Sequence, residues 1–125
     1  RMLASIERHQ VKNPVFWGGD IHSFWTNDLH ADANNPDSRI VATEFVGSSV
    51  TSDGPPFEAF SQILPLNPHV KFFDSRQRGY VSVELAAARM LTHFRVITDP
   101  RDPQATVSTL KSFAVEPGRP GAMAL

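Results

Sequence analysis

The sequence predicts an α/β domain whose last third consists of antiparallel strands. Residues 2–10 have the spacing of a short amphipathic helix, and the apolar run Val15–Trp17 that follows has the composition of a strand. A second strand pattern covers residues 39–46, and four more follow from residue 70 onward with only short polar turns between them. Turns this short favour hairpin or meander connections over crossover helices.

Length and composition limit the classes of protein to consider. The chain of 125 residues has the size of one domain, and its 41% apolar and 20% charged residues are typical of a globular fold. The formal net charge of −1 gives no electrostatic reason to expect a nucleic-acid or anionic-membrane partner. No apolar run has transmembrane length, and the lack of cysteine excludes disulfides and thiolate metal sites. We therefore expect neither nucleic acid nor a membrane as a partner.

Two short helices are predicted. The first has an apolar side running from Met2 to Gln10, and Asn13-Pro14 should end it because the residue before proline is pushed out of the helical region. The strand Val15–Trp17 begins at once, so this helix and strand are expected to pack as an αβ unit. The second helix, residues 57–64, follows two prolines and places its aromatic side chains on one side.

A polar motif follows the first strand. Gly18 and Gly19 end Val15–Trp17 and allow a sharp turn, after which Asp20 and His22 are presented at the carboxyl end of the strand. A carboxylate oxygen and an imidazole nitrogen at this spacing can reach one metal ion or two neighbouring ones. The alternative is a polar pair that caps the strand through hydrogen bonds to nearby backbone. Asp20 and His22 are the candidate metal ligands.

The segment 26–38 is dense in turn residues and predicts a loop. Its acidic and amide residues alternate like the first ligands of a calcium-binding EF loop, but Ala33 stands where glycine is needed and Arg39 where the closing glutamate belongs. Asp28 and His30 repeat the Asp-x-His spacing, although no strand pattern leads into them. A solvated loop with self-capping Asp and Asn side chains is the favoured interpretation.

The second strand, residues 39–46, and the hydroxyl-rich loop 47–54 supply further candidates. Glu44 lies inside an otherwise apolar strand, so it should be paired, at an edge or near a site. With Ser48 and Ser49 it is a candidate to support the metal ligands or to line the substrate. The loop lacks the glycine and lysine spacing of a nucleotide-binding P-loop.

The last third has a different character. Its four strand patterns cover Val70–Phe73, Tyr80–Leu85, Met90–Ile97 and Val107–Val115. Val81, Val83 and Leu85 alternate with polar side chains, which predicts one buried face. We expect residues 1–116 to form the domain and residues 117–125, which are rich in proline and glycine, to form a flexible tail.

Several blocks of sequence occur in an order that is typical of one protein family. They read Gly-Gly-Asp-Ile-His-Ser-Phe-Trp at 18–25, Val-Ala-Thr-Glu-Phe-Val-Gly at 41–47, Asn-Pro-His-Val at 67–70, Arg-Gly-Tyr at 78–80, Arg-Asp-Pro at 101–103 and Thr-Val-Ser-Thr at 106–109. Together they resemble the carboxyl-terminal part of the catalytic domain in the D-type alkaline phosphatase (PhoD-like) family of calcineurin-like metallophosphatases. The resemblance covers nearly the whole chain.

The resemblance carries expectations for fold, activity and site. It implies a metallophosphatase-type sandwich of two mixed sheets with outer helices, here its carboxyl-terminal part, which ends in antiparallel strands. It also implies hydrolysis of phosphate monoesters and diesters at a cluster of iron and calcium ions, in a secreted or periplasmic bacterial protein. The last metal-binding motif of the family is similar to Gly-Asp-x-His, so His22 would bind the iron-like metal and Asp20 a calcium-like one. Imidazole nitrogen suits iron and carboxylate oxygen suits calcium.

The other metal ligands of the family lie upstream of the region that this chain resembles. We therefore expect the chain to be inactive alone and to act on a phosphoester only with the missing amino-terminal part of the same protein. The alternative is a non-catalytic, truncated α/β module that forms a homo-oligomer through its uncovered sheet. Continuous apolar runs such as Val15–Trp17 are typical of strands covered on both faces, and two short helices cannot provide that cover. The chain is thus not expected to be a free monomer.

Overall fold

The computed structural model describes residues 1–125 and arranges eight strands in two four-stranded sheets. The elements are α1 (Met2–Arg8), β1 (Val15–Gly18), β2 (Phe24–His30), β3 (Ile40–Val46), α2 (Phe57–Ser61), a 3₁₀ turn (Leu64–Leu66), β4 (Val70–Asp74), β5 (Arg78–Leu85), β6 (Met90–Ile97), β7 (Val107–Glu116) and β8 (Arg119–Ala124). This two-sheet α/β architecture, which ends in antiparallel strands, confirms the predicted fold class. The helices are short, and none has the length and apolar character needed to cross a membrane.

The first sheet, called sheet A, has the strand order β1-β3-β2-β4. β1 runs parallel to β3, with Val15 opposite Thr43 and Gly18 opposite Val46. The other pairs, β2 with β3 and β2 with β4, are antiparallel. β1 is therefore an edge strand with a single neighbour, and its carboxyl end lies beside the carboxyl end of β3.

The second sheet, called sheet B, is an antiparallel meander in the order β5-β6-β7-β8. This confirms the meander predicted from the short turns of the last third. The buried face predicted for β5 is wrong at Val83 and Leu85, which are 43% and 82% exposed. β5 is an edge strand of sheet B, with a single neighbour, and these side chains lie at its exposed end.

The hydrophobic core lies between the two sheets. Phe24 and Phe45 of sheet A meet Phe94 and Phe113 of sheet B, and all four are at most 1% exposed. The rings of Phe24 and Phe94 stack with centroids 4.9 Å apart, and those of Phe45 and Phe113 lie 6.0 Å apart. Each buried phenylalanine removes a large apolar area from water, so these residues dominate the packing energy that holds the sandwich together.

The other face of sheet A is partly covered by α2. Trp25 on β2 packs against Phe73 on β4, with ring centroids 4.3 Å apart, and Phe57 stacks on Phe73 at 5.5 Å. Phe60 meets Trp25 edge to face. The aromatic side predicted for this helix is thus confirmed, although the α-helix ends at Ser61 and the 3₁₀ turn follows it.

Two boundaries differ from the sequence prediction. α1 ends at Arg8, well before the predicted stop at Asn13-Pro14, and both Gln10 and Asn13 have positive φ. Residues 117–125, predicted as a flexible tail, instead contain β8, which pairs with β7. Pro117-Gly118 has the sequence of a tight turn, with φ of +76° at the glycine, and it closes the β7–β8 hairpin. Proline is tolerated in β8 because this strand lies at the edge of sheet B.

A strand also replaces the first part of the loop predicted over residues 26–38. β2 extends to His30, so Asp28 is a buried strand residue and not part of a solvated loop. The loop proper begins at Ala31, and here the predicted self-capping is confirmed. The Asp32 carboxylate accepts a hydrogen bond from the backbone N–H of Asn34, at 2.9 Å. The loop prediction failed here because two of the inward side chains of β2 are polar, a threonine and an aspartate, and so the strand lacks an apolar pattern.

Candidate metal centre

The turn after β1 presents the two predicted metal ligands. It begins at Gly19, whose carbonyl accepts a hydrogen bond from the N–H of Ile21 at 2.9 Å. Asp20 and His22 both have left-handed backbone conformations, with φ of +73° and +58°. The chain turns directly after the two glycines, but the positive φ values fall on Asp20 and His22 and on neither Gly18 nor Gly19. Non-glycine residues with positive φ are uncommon and persist where surrounding contacts enforce them.

The imidazole of His22 has a defined direction. Its Nδ1 lies 2.9 Å from the backbone carbonyl oxygen of Asp53. A carbonyl can only accept, so Nδ1 carries the proton and the lone pair of the neutral ring is on Nε2. Nε2 has no hydrogen-bond partner in the structure. A histidine held in this way through one nitrogen has the arrangement found in metal-binding imidazoles.

Asp20 supplies the second donor. Its side chain is exposed and takes part in no hydrogen bond or ion pair within the chain. The alternative that Asp20 and His22 are a strand-capping pair therefore holds only in part, since His22 contacts backbone and the Asp20 carboxylate does not. One oxygen donor and one nitrogen donor thus project from a single turn. The carboxylate oxygen suits a hard cation, and the imidazole nitrogen suits a borderline one.

Ser48 contacts the backbone of His22, and Ser49 contacts the backbone of its own loop. The Ser48 hydroxyl donates to the carbonyl oxygen of His22, at 3.2 Å, and lies 3.1 Å from the carbonyl oxygen of Gln77. The Ser49 hydroxyl donates to the carbonyl of Ser52. The hydroxyl-rich loop is therefore attached to the turn that carries the candidate ligands. A role in lining the substrate stays a prediction.

Glu44 lies two residues before the end of β3, opposite Phe16 of β1. Its carboxylate accepts a hydrogen bond from the side-chain amide of Asn27 on β2, at 2.8 Å. It faces away from the core, because its neighbour Phe45 points inward. No hydrogen bond joins it to Asp20 or His22, so the pairing explains why a carboxylate is tolerated here, and its part in a site stays a prediction.

Three of the other histidines have contacts of a structural kind. His93 Nδ1 lies 2.8 Å from the Ser112 hydroxyl, and its Nε2 lies 3.5 Å from the Glu84 carboxylate. His30 Nδ1 lies 2.6 Å from the carbonyl oxygen of Ser38 and closes the loop after β2. The exposed His69 uses only its backbone, whose carbonyl accepts from the N–H of Asp28.

The two candidate ligands do not form a closed site. No group of three or more His, Asp or Glu side chains in the chain is placed to hold one metal ion. Calcium takes six to eight oxygen ligands. Asp20 and His22 therefore offer two candidate donors, and no third His, Asp or Glu side chain of the structure is placed beside them.

Arg78 is the functional candidate that the sequence reasoning missed. It begins β5, is only 6% exposed, and donates to the carbonyl oxygen of His22 at 3.0 Å. The sequence carried one signal for it, the block Arg-Gly-Tyr at 78–80, in which a charged residue opens an apolar strand. Nothing in the local pattern shows that its partner lies 56 residues away.

Comparison with known proteins agrees with this architecture. The sequence model described as PhoD-like phosphatase matches residues 1–94. Alkaline phosphatase D of Bacillus subtilis (strain 168) is 34% identical over 124 residues, which are 97% of this chain and 21% of that protein. The solved structure of PhoD superposes with a TM-score of 0.84 at 28% identity and covers 100% of this chain and 24% of that one. The chain thus spans about a fifth to a quarter of the length of these relatives.

Proposed function

The chain belongs to the PhoD-like phosphatase family, and from that premise we propose that it is one part of a metal-dependent phosphohydrolase, to which it contributes Asp20 and His22 as metal ligands. The observation that carries the proposal is the geometry of the turn after β1. The Asp20 carboxylate is free, and the proton on His22 Nδ1 is directed at the Asp53 carbonyl, which leaves Nε2 available. The chemistry that metal ions supply when bound is Lewis-acid polarisation of a phosphoryl oxygen.

The two types of donor atom favour two different metal ions. Imidazole nitrogen suits iron, so His22 is the proposed ligand of an iron-like metal, and the Asp20 carboxylate is the proposed ligand of a calcium-like one. The proposed substrates are phosphate monoesters and diesters. The left-handed φ at both residues fixes the direction in which each side chain leaves the backbone.

The proposed partner is the remaining part of a PhoD-like protein. The chain exposes 7759 Å², whereas a folded monomer of 13.8 kDa exposes roughly 6,600 Å². The difference of about 1,100 Å² exceeds the ~800 Å² that each partner buries in a standard interface. More than three quarters of the Bacillus subtilis relative is not covered by this chain, so a partner of the required size exists in that protein.

The partner would dock on what we call the open edge, which consists of the edge strands β1 and β5. Val15 of β1 and Leu85 of β5 line one shallow pocket, so the two edges lie on the same side of the sandwich. Trp17 of β1, whose ring stacks on Phe45, is 48% exposed. Unpaired strand edges flanked by exposed apolar side chains are suited to the addition of further strands. The alternative, a non-catalytic module, would use the same open edge to bind a second copy of itself.

The test uses a complete PhoD-like protein that contains this chain, assayed with p-nitrophenyl phosphate. His22→Ala and Asp20→Asn should lower bound metal and reduce kcat/KM by about a hundredfold or more, since Lewis-acid help contributes several kcal/mol. His93→Ala is the matched control and should retain near-normal activity, because His93 contacts Ser112 and Glu84. The isolated chain should show no turnover above buffer with metal. An active His22→Ala enzyme with full metal content would refute the proposal.

A further inference from the structure

Arg78 is a buried cation without a carboxylate partner. Its Nη1 donates to the carbonyl oxygens of His22 and Ser52, at 3.0 and 2.5 Å, and lies 3.0 Å from the hydroxyl oxygen of Ser49. Its Nη2 donates to the carbonyl of Ser75. Buried charges are normally paired with an opposite charge or a metal ion. Here the guanidinium is satisfied by neutral acceptors from three separate segments of the chain.

Two of these acceptors connect Arg78 to His22 and to the loop that contacts its imidazole. The first is the backbone of His22 itself, which Arg78 holds through its carbonyl oxygen. The second is the carbonyl oxygen of Ser52. The next residue is Asp53, and its carbonyl oxygen accepts the hydrogen bond from His22 Nδ1. One side chain thus fixes both the backbone from which the imidazole leaves and the loop that orients its ring.

The packing around Gly54 shows how tightly this arrangement is held. A Cβ atom at position 54 would lie 2.5 Å from the carbonyl oxygen of His22 and 2.9 Å from Nη2 of Arg78. Glycine is therefore required for the loop to close over the turn. His22 keeps its left-handed φ of +58° under these contacts, as strained backbone does where its surroundings determine it.

We propose that Arg78 is a positioning residue for the metal centre, and that it sets the direction of His22 Nε2 through the backbone of His22 and the 52–53 segment. This inference rests on the proposed role of His22 as a metal ligand. Lysine cannot replace Arg78, because the planar guanidinium reaches several acceptors in fixed directions whereas an ammonium is a single point. Groups that orient metal-binding imidazoles typically change metal affinity 10- to 100-fold when they are removed.

The test is a cobalt(II) titration of the metal-free complete protein, followed by its visible absorption bands. Arg78→Gln and Arg78→Lys should weaken cobalt binding about 10- to 100-fold and alter the bands that report nitrogen coordination. Arg95→Gln is the matched control, since Arg95 lies on the neighbouring strand β6 and bonds only Thr109; it should change the affinity less than about twofold. Circular dichroism shows which variants are folded.

The outcomes separate the two proposals. If folded Arg78→Gln binds cobalt like the wild type while His22→Ala does not, the positioning role is wrong and the ligand role stands. If His22→Ala also binds normally, the ligand role itself is wrong. If neither Arg78 variant folds, the cobalt affinity of Ser49→Ala tests the positioning role. This variant removes one hydrogen-bond partner of Nη1 and keeps the guanidinium of Arg78. A several-fold loss of affinity supports the inference, and an unchanged affinity overturns it.

Discussion

Asp28 of β2 accepts a hydrogen bond from the backbone N–H of Ala122 in β8, at 3.0 Å, and so joins sheet A to sheet B. Asp28 is 4% exposed, and its other carboxylate oxygen lies 3.7 Å from Nζ of Lys71. Gly121 permits the approach, since a Cβ there would already lie 3.1 Å from the carboxylate. A carboxylate in the sandwich is thus satisfied by partners that are distant in sequence.

Replacing Asp28 tests this link. Asp28→Ala leaves the N–H of Ala122 without its acceptor, so the free energy of unfolding in urea should fall by about 2–3 kcal/mol. Asp28→Asn should lose less, because its amide oxygen can still accept. The exposed Asp37→Ala is the control and should stay within about 0.5 kcal/mol of the wild type. Equal stabilities for Asp28→Ala and Asp37→Ala would show that the link is not important.

Gly79 and Gly19 differ sharply in the space around them. A Cβ at Gly79 in β5 would overlap the backbone carbonyl of Arg95 and lie 2.9 Å from Cα of Val96, whereas a Cβ at Gly19 would meet nothing within 4 Å. Gly79→Ala should therefore destabilise the protein by about 3 kcal/mol or more. Gly19→Ala should be nearly neutral, within about 0.5 kcal/mol. Thermal unfolding of the two variants measures this difference in stability. A destabilised Gly19→Ala would mean that the turn requires glycine.

The backbone at Asp20 favours particular substitutions. Its φ of +73° suits Asn and Asp better than a β-branched side chain. In the presence of a chelator, Asp20→Asn should keep the stability of the wild type and Asp20→Val should lose about 1–2 kcal/mol. Asp37→Val, at an exposed position without positive φ, serves as the control. If Asp20→Val and Asp37→Val lost the same free energy of unfolding, the backbone at Asp20 would not be strained for a β-branched residue.

The buried hydroxyl of Thr26 has no hydrogen-bond partner, and the residue is 0% exposed. Thr26→Val keeps the branched shape and removes the unsatisfied oxygen, so it should raise the free energy of unfolding by about 1 kcal/mol. Thr51→Val, in an exposed loop, should change it by less than about 0.5 kcal/mol. A loss of stability in Thr26→Val would indicate that an internal water satisfies the hydroxyl.

Local patterns in the sequence were sufficient for most of the fold. β3 follows from its apolar run, and β4 to β7 follow from the four strand patterns of the last third. β2 and β8 were missed because the contact that joins them is not visible locally: the buried Asp28 carboxylate accepts from the N–H of Ala122, 94 residues away. A proline and a glycine in β8 indicate a loop in isolation, and only its place at the sheet edge makes the strand possible.

The candidate site, like the fold, was predictable only where its residues lie close together in the sequence. Asp20 and His22 are only two residues apart, so their motif is visible in the chain itself. The contacts that hold His22 come from Asp53 and Arg78, which lie 31 and 56 residues beyond it. No periodicity connects such distant residues, and the left-handed φ at two non-glycine positions can only be read from the folded structure.

The open edge predicts the behaviour of the isolated chain. Burying apolar surface is worth roughly 25 cal/mol for each Å², so we expect the exposed apolar side chains of β1 and β5 to favour association. Sedimentation velocity should show species larger than the 13.8 kDa monomer, and an apolar dye should bind. The missing part of a PhoD-like protein, added as a second polypeptide, should convert these species into a one-to-one complex with phosphatase activity.

Two exposed leucines provide a matched comparison for this prediction. Leu85, at the open edge, is 82% exposed. Leu66, in the 3₁₀ turn, is 81% exposed and lines a different pocket, together with Leu29 of β2. Leu85→Ser should weaken both self-association and binding of the missing part, whereas Leu66→Ser should change neither by more than about twofold. If the isolated chain sediments as a well-folded monomer that binds no dye, or if the two leucine variants behave alike, the open edge is not the docking surface.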